Sequence, residues 1–420
     1  MRKKQSNCES PHTDPHVNNL LFDPKSEILQ TCFLLSKDPG KTLDDAYVLN
    51  PLDRATFGYD PFWCITPKSN KNLIRRHMKT VCESIITIKS NDKGDKFWKR
   101  MARSMLHGFM GYFYIYHSHR CLPQICRAIL ASGSLDNLLK QVISEVPQSS
   151  FIYADLNVFC RMAPETLYSV FSNLHDAILD FCADDDIVYC LEDNPRKVNP
   201  TTLLQHTIIL GIPLDYLESY ASLIVLIYNQ AIRWVFGLPE KKEDPDRAYI
   251  GLILDETVAL LNSVGGEISA LAQALRLQRS KGVMMMLCVQ SISGLKTIMD
   301  ATVVNDELSN IPWKIFLDCT TPEDQKMICD WGGKFSRRKT SYTKNGSNNH
   351  SENVHFDDDN LITPSQLMTL GGSGESILIS TKAGYNRFEK VYIFKDKFYK
   401  KHMSFVEKHN KKIMKRRNKS

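Results

Sequence analysis

Apolar and polar positions change rhythm three times along the chain. The apolar run Leu20-Leu21-Phe22 stops at Asp23-Pro24, a helical spacing follows through Leu29, Cys32 and Leu35, and a second apolar run comes at Tyr47-Val48-Leu49. This order predicts a βαβ unit. From about 71 to 237 a period near 3.6 dominates, as in "FWKRMARSMLHGFMGYFYIYH" and "ETLYSVFSNLHDAILDFC", with one strand expected at 206–213. Polar residues 237–248, "GLPEKKEDPDRA", read as a linker. The βαβ rhythm then returns. A strand at 250–254 ends on Asp255-Glu256, a helix is expected around Ile268, Leu271 and Leu275, and a strand at 283–289 ends on Gln290.

Further strands are expected at "WKIFLDC", "SILIST" and "EKVYIFK". The polar, Asn/Ser-rich stretch 336–360 between them reads as a mobile loop, and "GGSGES" at 371–376 as a turn. The chain is therefore read as α/β, one domain with a mainly parallel sheet interrupted by an all-α insertion. Its parts are 1–68, an all-α region at 69–245, 246–395, and a tail at 396–420.

Charge changes the picture at the end of the chain. The net charge of +6 conceals a tail, 395–420, with eleven Lys/Arg against Asp396 and Glu407, on a body that is slightly acidic. Lys411, Lys412, Lys415, Arg416 and Arg417 are its densest cluster and the expected DNA-binding residues. Twelve cysteines without a CxxC pair suit free thiols in a reducing cytoplasm better than a disulfide framework. His117 and His119 lie near Cys121, but no second ligand cluster accompanies them. The most apolar long window, 221–238, contains Asn229, Gln230 and Arg233 and reads as a buried helix. No transmembrane segment is expected in this chain.

Carboxylates at strand ends are the candidate chemistry. In parallel sheets with crossover connections the carboxyl ends of the strands line one crevice, where ligands bind. Asp23, Asp255 and Gln290 each close such a run. Four apolar residues before Asp-Glu is a pattern that nucleoside triphosphatases use, the Asp orienting Mg²⁺ through water and the Glu polarising the attacking water. A helix cap at Asp255 and an ion pair at Arg279 are the plainer alternatives.

"FDPKSE", "LILDETVALL", "ALRLQRSKGVMMMLCVQSISGL" and "ELSNIPWKIFL" resemble, in this order and spacing, the TraG/TraD-type coupling proteins of conjugative type IV secretion systems. The resemblance implies a RecA-like P-loop NTPase domain interrupted by an all-α domain, assembled as a homo-hexameric ring at the inner membrane. It implies ATP and Mg²⁺ as ligands. As partners it implies single-stranded DNA with its relaxase in the relaxosome, and the proteins of the secretion channel. By position, Asp255 matches the Mg²⁺-orienting acid, Glu256 the catalytic acid, Gln290 the polar sensor and Arg279 an arginine reaching across subunits. Asp23 and Lys25 match the "DPKGE" strand end at the nucleotide, with Ser26 in place of the glycine.

The sequence departs from that family where phosphates would be held. The family's GxxxxGK[ST] loop would fall on the order of 20 residues before Asp23, yet residues 1–22 contain no glycine. Gly40-Lys41-Thr42 has Leu35 where the first glycine belongs. A phosphate loop needs glycines because several N–H groups must turn toward one anion. The expectation is an ATP-driven coupling motor whose phosphate loop comes from an upstream polypeptide, docked beside the strand at 20–23. The chain is expected in the cytoplasm, peripheral to the membrane. A non-catalytic DNA- or relaxosome-binding module, a remnant of a split gene, and a ring translocase outside secretion are the rival readings.

Overall fold

The computed structural model describes residues 17–25, 46–88, 96–263, 279–298, 301–345, 349–382, 384–392 and scattered positions from 395 to 408. These fall into two compact units, Met1–Cys288 with Lys401–Ser420, and Val289–Lys400. The segment expected as a helix after Asp23, the helix around Leu271, Lys41 and the cluster Lys411–Arg417 lie outside the described residues.

The first unit contains β1 (Val17–Phe22), β2 (Ala46–Leu49), β3 (Gly58–Tyr59), β4 (Lys197–Val198), β5 (Thr207–Leu210), β6 (Tyr249–Leu254) and β7 (Val283–Leu287). Five of them form one sheet in the order β2-β5-β1-β6-β7, with every pairing parallel. Leu20, Phe22, Ile208, Ile209, Leu252 and Leu254 are buried, as strands covered on both faces must be. The strand expected at 206–213 forms as β5, but it lies between β1 and β2. The two strands of the expected βαβ unit are therefore parallel without being neighbours.

The register sets the edge where chemistry is expected. Leu49 pairs with Leu210, Leu210 with Phe22, Phe22 with Leu254 and Leu254 with Leu287. The carboxyl ends of all five strands are thus level. Gly251 sits opposite Asn19 because a Cβ there would lie 2.1 Å from the Asn19 amide oxygen. β1 has β5 on one side and β6 on the other, so no further strand can dock beside it, contrary to the expectation for a loop-bearing strand. Among the described residues the open edge next to β6 belongs to β7, where Met284 and Met286 are about half exposed.

Helix Leu217–Phe236 is buried nearly all round, from Leu217 to Val235. Its Tyr228 hydroxyl donates to the Ile253 carbonyl at 2.6 Å, and its Asn229 amide donates to Ser84 Oγ of helix Lys71–Ile85 at 3.1 Å. That double contact explains the apolar window in the sequence, and no helix among the described residues is long and apolar enough to cross a membrane. Helices Lys71–Ile85, Lys96–Tyr116, Leu122–Leu130, Leu135–Glu145, Phe151–Leu156 and Pro164–Ile178 make the insertion. His107 Nδ1 lies 2.6 Å from Asp155 and its Nε2 lies 2.9 Å from the Arg75 carbonyl, tying three of these helices together.

The second unit carries β8 (Trp313–Phe316), β9 (Lys334–Asn345), β10 (Asn349–Asn360), β11 (Glu375–Ser380) and β12 (Gly384–Glu389). β12, β11 and β8 form an antiparallel sheet over a core of Ile328, Ile362, Leu367, Leu370 and Ile377. Two expectations fail here. The strand expected at "EKVYIFK" lies earlier, at 384–389, because the chain reverses directly after β11 and pairs Gly384 with Ser380. The stretch read as a mobile loop is the β9/β10 hairpin, in which Arg337 faces Asp357, and Lys339 Nζ meets Asp357 Oδ2 at 2.6 Å. Opposite charges across the strands stabilise pairing that a hydrophobic pattern does not announce. The "GGSGES" stretch is a turn leading into β11.

Candidate functional site

Because Phe22 and Leu254 are level, Asp23 and Asp255 leave the sheet side by side. Asp23 is fully buried, and its N–H donates to the Leu210 carbonyl at 3.0 Å, which carries the hydrogen-bond ladder one residue past the strand. Asp23-Pro24-Lys25 then turns the chain over the end of β6. There the Lys25 ammonium donates to Glu256 Oε1 at 2.6 Å, with side-chain exposures of 47% and 11%. The two residues are 231 positions apart.

Glu256 adopts φ = 48°, in the left-handed region that costs a non-glycine residue of order 1–3 kcal/mol and collects at functional sites. Its surroundings hold it there. Its own N–H donates to Asp255 Oδ1 at 3.0 Å, and the next residue, Thr257, is buried with its hydroxyl on the Leu254 carbonyl at 2.9 Å. Thr257 N–H donates to the Cys288 carbonyl at 3.1 Å, while Cys288 N–H donates to the Leu254 carbonyl at 2.9 Å. The ends of β6 and β7 are thereby locked around the acidic pair. Burial pushes the Cys288 thiol up, and the nearby carboxylates of Asp255 and Glu256 add to the rise.

Asp23, Lys25, Asp255 and Glu256 are thus brought together at one edge of the sheet. Arg279 is not. It opens the turn Arg279–Lys281 that precedes β7, so its backbone lies at the amino end of the strands, the opposite edge from the carboxylates. Gln290 belongs to the second unit, where it is exposed. Within that unit Asp324 is buried and accepts from the N–H groups of Ile292 and Ser293 at 2.9 Å each, fixing the start of helix Ile292–Ile298.

Sequence reasoning missed the Lys25–Glu256 pair and the left-handed turn at Glu256. A lysine just past one strand end and a glutamate just past another were the available signal, but only adjacency of β1 and β6 makes them partners. The donor set fits Mg²⁺ in the way this ion is usually bound, through one or two carboxylates plus the phosphates of a nucleotide. Among the described residues no group of three or more His, Cys, Asp or Glu makes a metal cage.

Comparisons with known proteins bear on the family and the fold. The family profile for type IV secretory system conjugative DNA transfer matches residues 15–416. Among solved structures, the unbound bacterial conjugative coupling protein TrwBΔN70 superposes with a TM-score of 0.67 at 15% identity, covering 89% of this chain and 78% of that one. TrwB in complex with ADP and Mg²⁺ gives 0.62 at 14% identity over the same shares. No curated protein matches the chain in sequence. At such identities the superpositions speak for the fold, a RecA-like α/β architecture, and the profile speaks for descent. The chain belongs to the type IV secretory system conjugative DNA transfer family, the TraG/TraD-type coupling proteins of conjugation.

Proposed function

We propose that the carboxyl edge of β1 and β6 is the Mg²⁺ and water side of an ATP site, and that its turnover drives DNA through the secretion channel. The observation that carries this reading is the grouping of Asp255, Glu256 and Lys25 on level strand ends, with Glu256 held at a costly backbone angle. In this reading Asp255 would hold Mg²⁺, which when bound would neutralise charge on the phosphates. Glu256 accepts the proton of the attacking water, and Lys25 holds its carboxylate in place. Asp23 supports the site from beneath. Gln290 senses the γ-phosphate, and Arg279, at the far edge of its own sheet, serves the site of a neighbouring subunit in a homo-hexamer.

The phosphate cradle is assigned to an element outside the described residues. The position of β7 at the edge of the sheet among the described residues supports a docking place there for the strand that carries it. An upstream polypeptide bearing GxxxxGK[ST] is the proposed source. Further partners are the relaxase-bound single strand, its relaxosome and the channel proteins, at the cytoplasmic face of the inner membrane. The cationic cluster Lys411, Lys412, Lys415, Arg416 and Arg417 adds non-specific affinity for DNA.

The test is ATP turnover with Mg²⁺, measured for the chain alone and joined to the upstream segment. Turnover is expected only in the joined form, and Glu256→Gln should reduce it by at least about 100-fold, the usual reach of general-base catalysis. Turnover indifferent to Glu256→Gln overturns the assignment.

A further inference from the structure

The insertion carries a second feature, independent of the sheet edge. Between Lys68 and Cys82 the chain has five Lys/Arg and no Asp or Glu. Lys68, Lys71, Arg75, Arg76 and Lys79 are all exposed, and none of them makes an ion pair among the described residues. The first acid, Glu83, is taken by Arg233. Acidic neighbours at i±4 would stabilise such a helix, and like charges at that spacing destabilise it. The absence of acidic neighbours along three turns leaves a concentrated positive field that an unliganded protein gains nothing from holding.

Beside this helix lies a cavity of about 380 Å³. Lys71, Asn72 and Arg75 form one wall, Tyr116 another, and Gln148 with Ser149 a third. Tyr116 is 40% exposed at the end of helix Lys96–Tyr116. The lining offers cations, amides, hydroxyls and the Tyr116 ring, stacked on Tyr112 at 5.9 Å and partly exposed, but no carboxylate.

We infer that the solvent face of helix Lys71–Ile85, with the adjoining cavity, is a binding site for single-stranded nucleic acid. In it Lys71, Arg75 and Lys79 take backbone phosphates and Tyr116 takes a base. The spacing favours this ligand. Cations four residues apart rise by about 6 Å along a helix, so Lys71, Arg75 and Lys79 present a row of charge to the phosphates of one extended strand. An aromatic ring next to a cationic track is how sequence-tolerant single-strand binding is built. An acidic peptide would find the charges but no use for the ring. The inference rests on the reading that the chain handles DNA, and it puts a DNA-binding face on the insertion as well as on the tail.

The test is binding of a fluorescein-labelled single-stranded oligonucleotide to the full chain across a salt series, without nucleotide. The triple variant K71A/R75A/K79A keeps the tail, so any difference from the parent belongs to the helix. Each phosphate no longer neutralised should lower the slope of log K against log salt by about 0.7, or about 2 for three, weakening binding by about 100-fold near 0.1 M salt. Tyr116→Ala should weaken binding by roughly fivefold or more while leaving the slope unchanged, as loss of stacking predicts. An unchanged slope in the triple variant, with its melting temperature intact, overturns the site. So does stronger competition by polyglutamate than by unlabelled oligonucleotide at equal charge, which would mark a protein partner. Because no ATP is present, failure of the catalytic assignment leaves this result untouched. Normal turnover with an unchanged slope would refute this site alone.

Discussion

At the carboxyl edge of the parallel sheet Asp23 is fully buried and Glu256 nearly so, whereas Lys71, Arg75, Arg76 and Lys79 stand in solvent on one helix. The edge is held by level strand ends, a ladder hydrogen bond at Asp23 and a left-handed turn at Glu256. The helix needs only to be folded. The contrast separates two ways of building function. Chemistry that depends on one atom being in place is set at the ends of buried, paired strands, while binding that depends on summed charge is set on a surface where each residue contributes a similar share. Substitutions should therefore be abrupt at the edge and graded on the helix.

The sharpest check is Asp255→Ala in the joined, turning-over form. Loss of the carboxylate that orients Mg²⁺ should lower kcat by about 100-fold or more, with nucleotide affinity less affected. A decline of only a few fold would erase the contrast at its strongest point.

Lys25→Ala comes next. It removes a charged hydrogen bond to a carboxylate only 11% exposed, and turnover should fall by about tenfold, the size of one such bond. Lys25→Arg should restore part of it, since a cation remains in reach. No recovery would mean that the lysine acts through something other than its charge.

On the helix a single change such as Lys79→Ala should weaken single-strand binding by about fivefold near 0.1 M salt and less at higher salt. Lys71→Ala should match it. A weakening confined to one of these positions would make the helix resemble the edge and break the comparison.

The smallest effect is local to the edge. Burial and the neighbouring Asp255 and Glu256 carboxylates all favour the neutral Cys288 thiol. Removing one negative charge by Glu256→Gln should lower the thiol toward its ordinary range and raise its alkylation rate at pH 8 by about twofold. The rate is followed by mass spectrometry of the labelled peptide, and a slower reaction would mean that the carboxylate does not face the thiol.

Much of this was legible in the chain itself. The apolar runs before Asp23 and Asp255 announced β1 and β6, because a strand covered on both faces must be apolar throughout and can carry charge only where it leaves the sheet. The run 207–210 announced β5, and the residues around "LILDETVALL" announced the family. The β9/β10 hairpin was hidden, since its strands are largely polar, with Arg337 set opposite Asp357, and no apolar period marks them. β12 was hidden for a related reason: "GYNRFE" pairs with β11 through its backbone, while the apolar Val391 and Tyr392 just beyond it are in no strand.

What the sequence by itself determined is local: which segments are apolar enough to be strands, where each ends, and which residue types stand at those ends. Burial and backbone geometry act within a few residues, so a reader of the chain can follow them. The tertiary structure alone decided that β5 separates β1 from β2, that Lys25 meets Glu256 across 231 positions, and that Arg279 lies at the edge opposite the carboxylates. Strand order and register are settled by which surfaces fit when distant segments pack together, and no residue carries that information on its own.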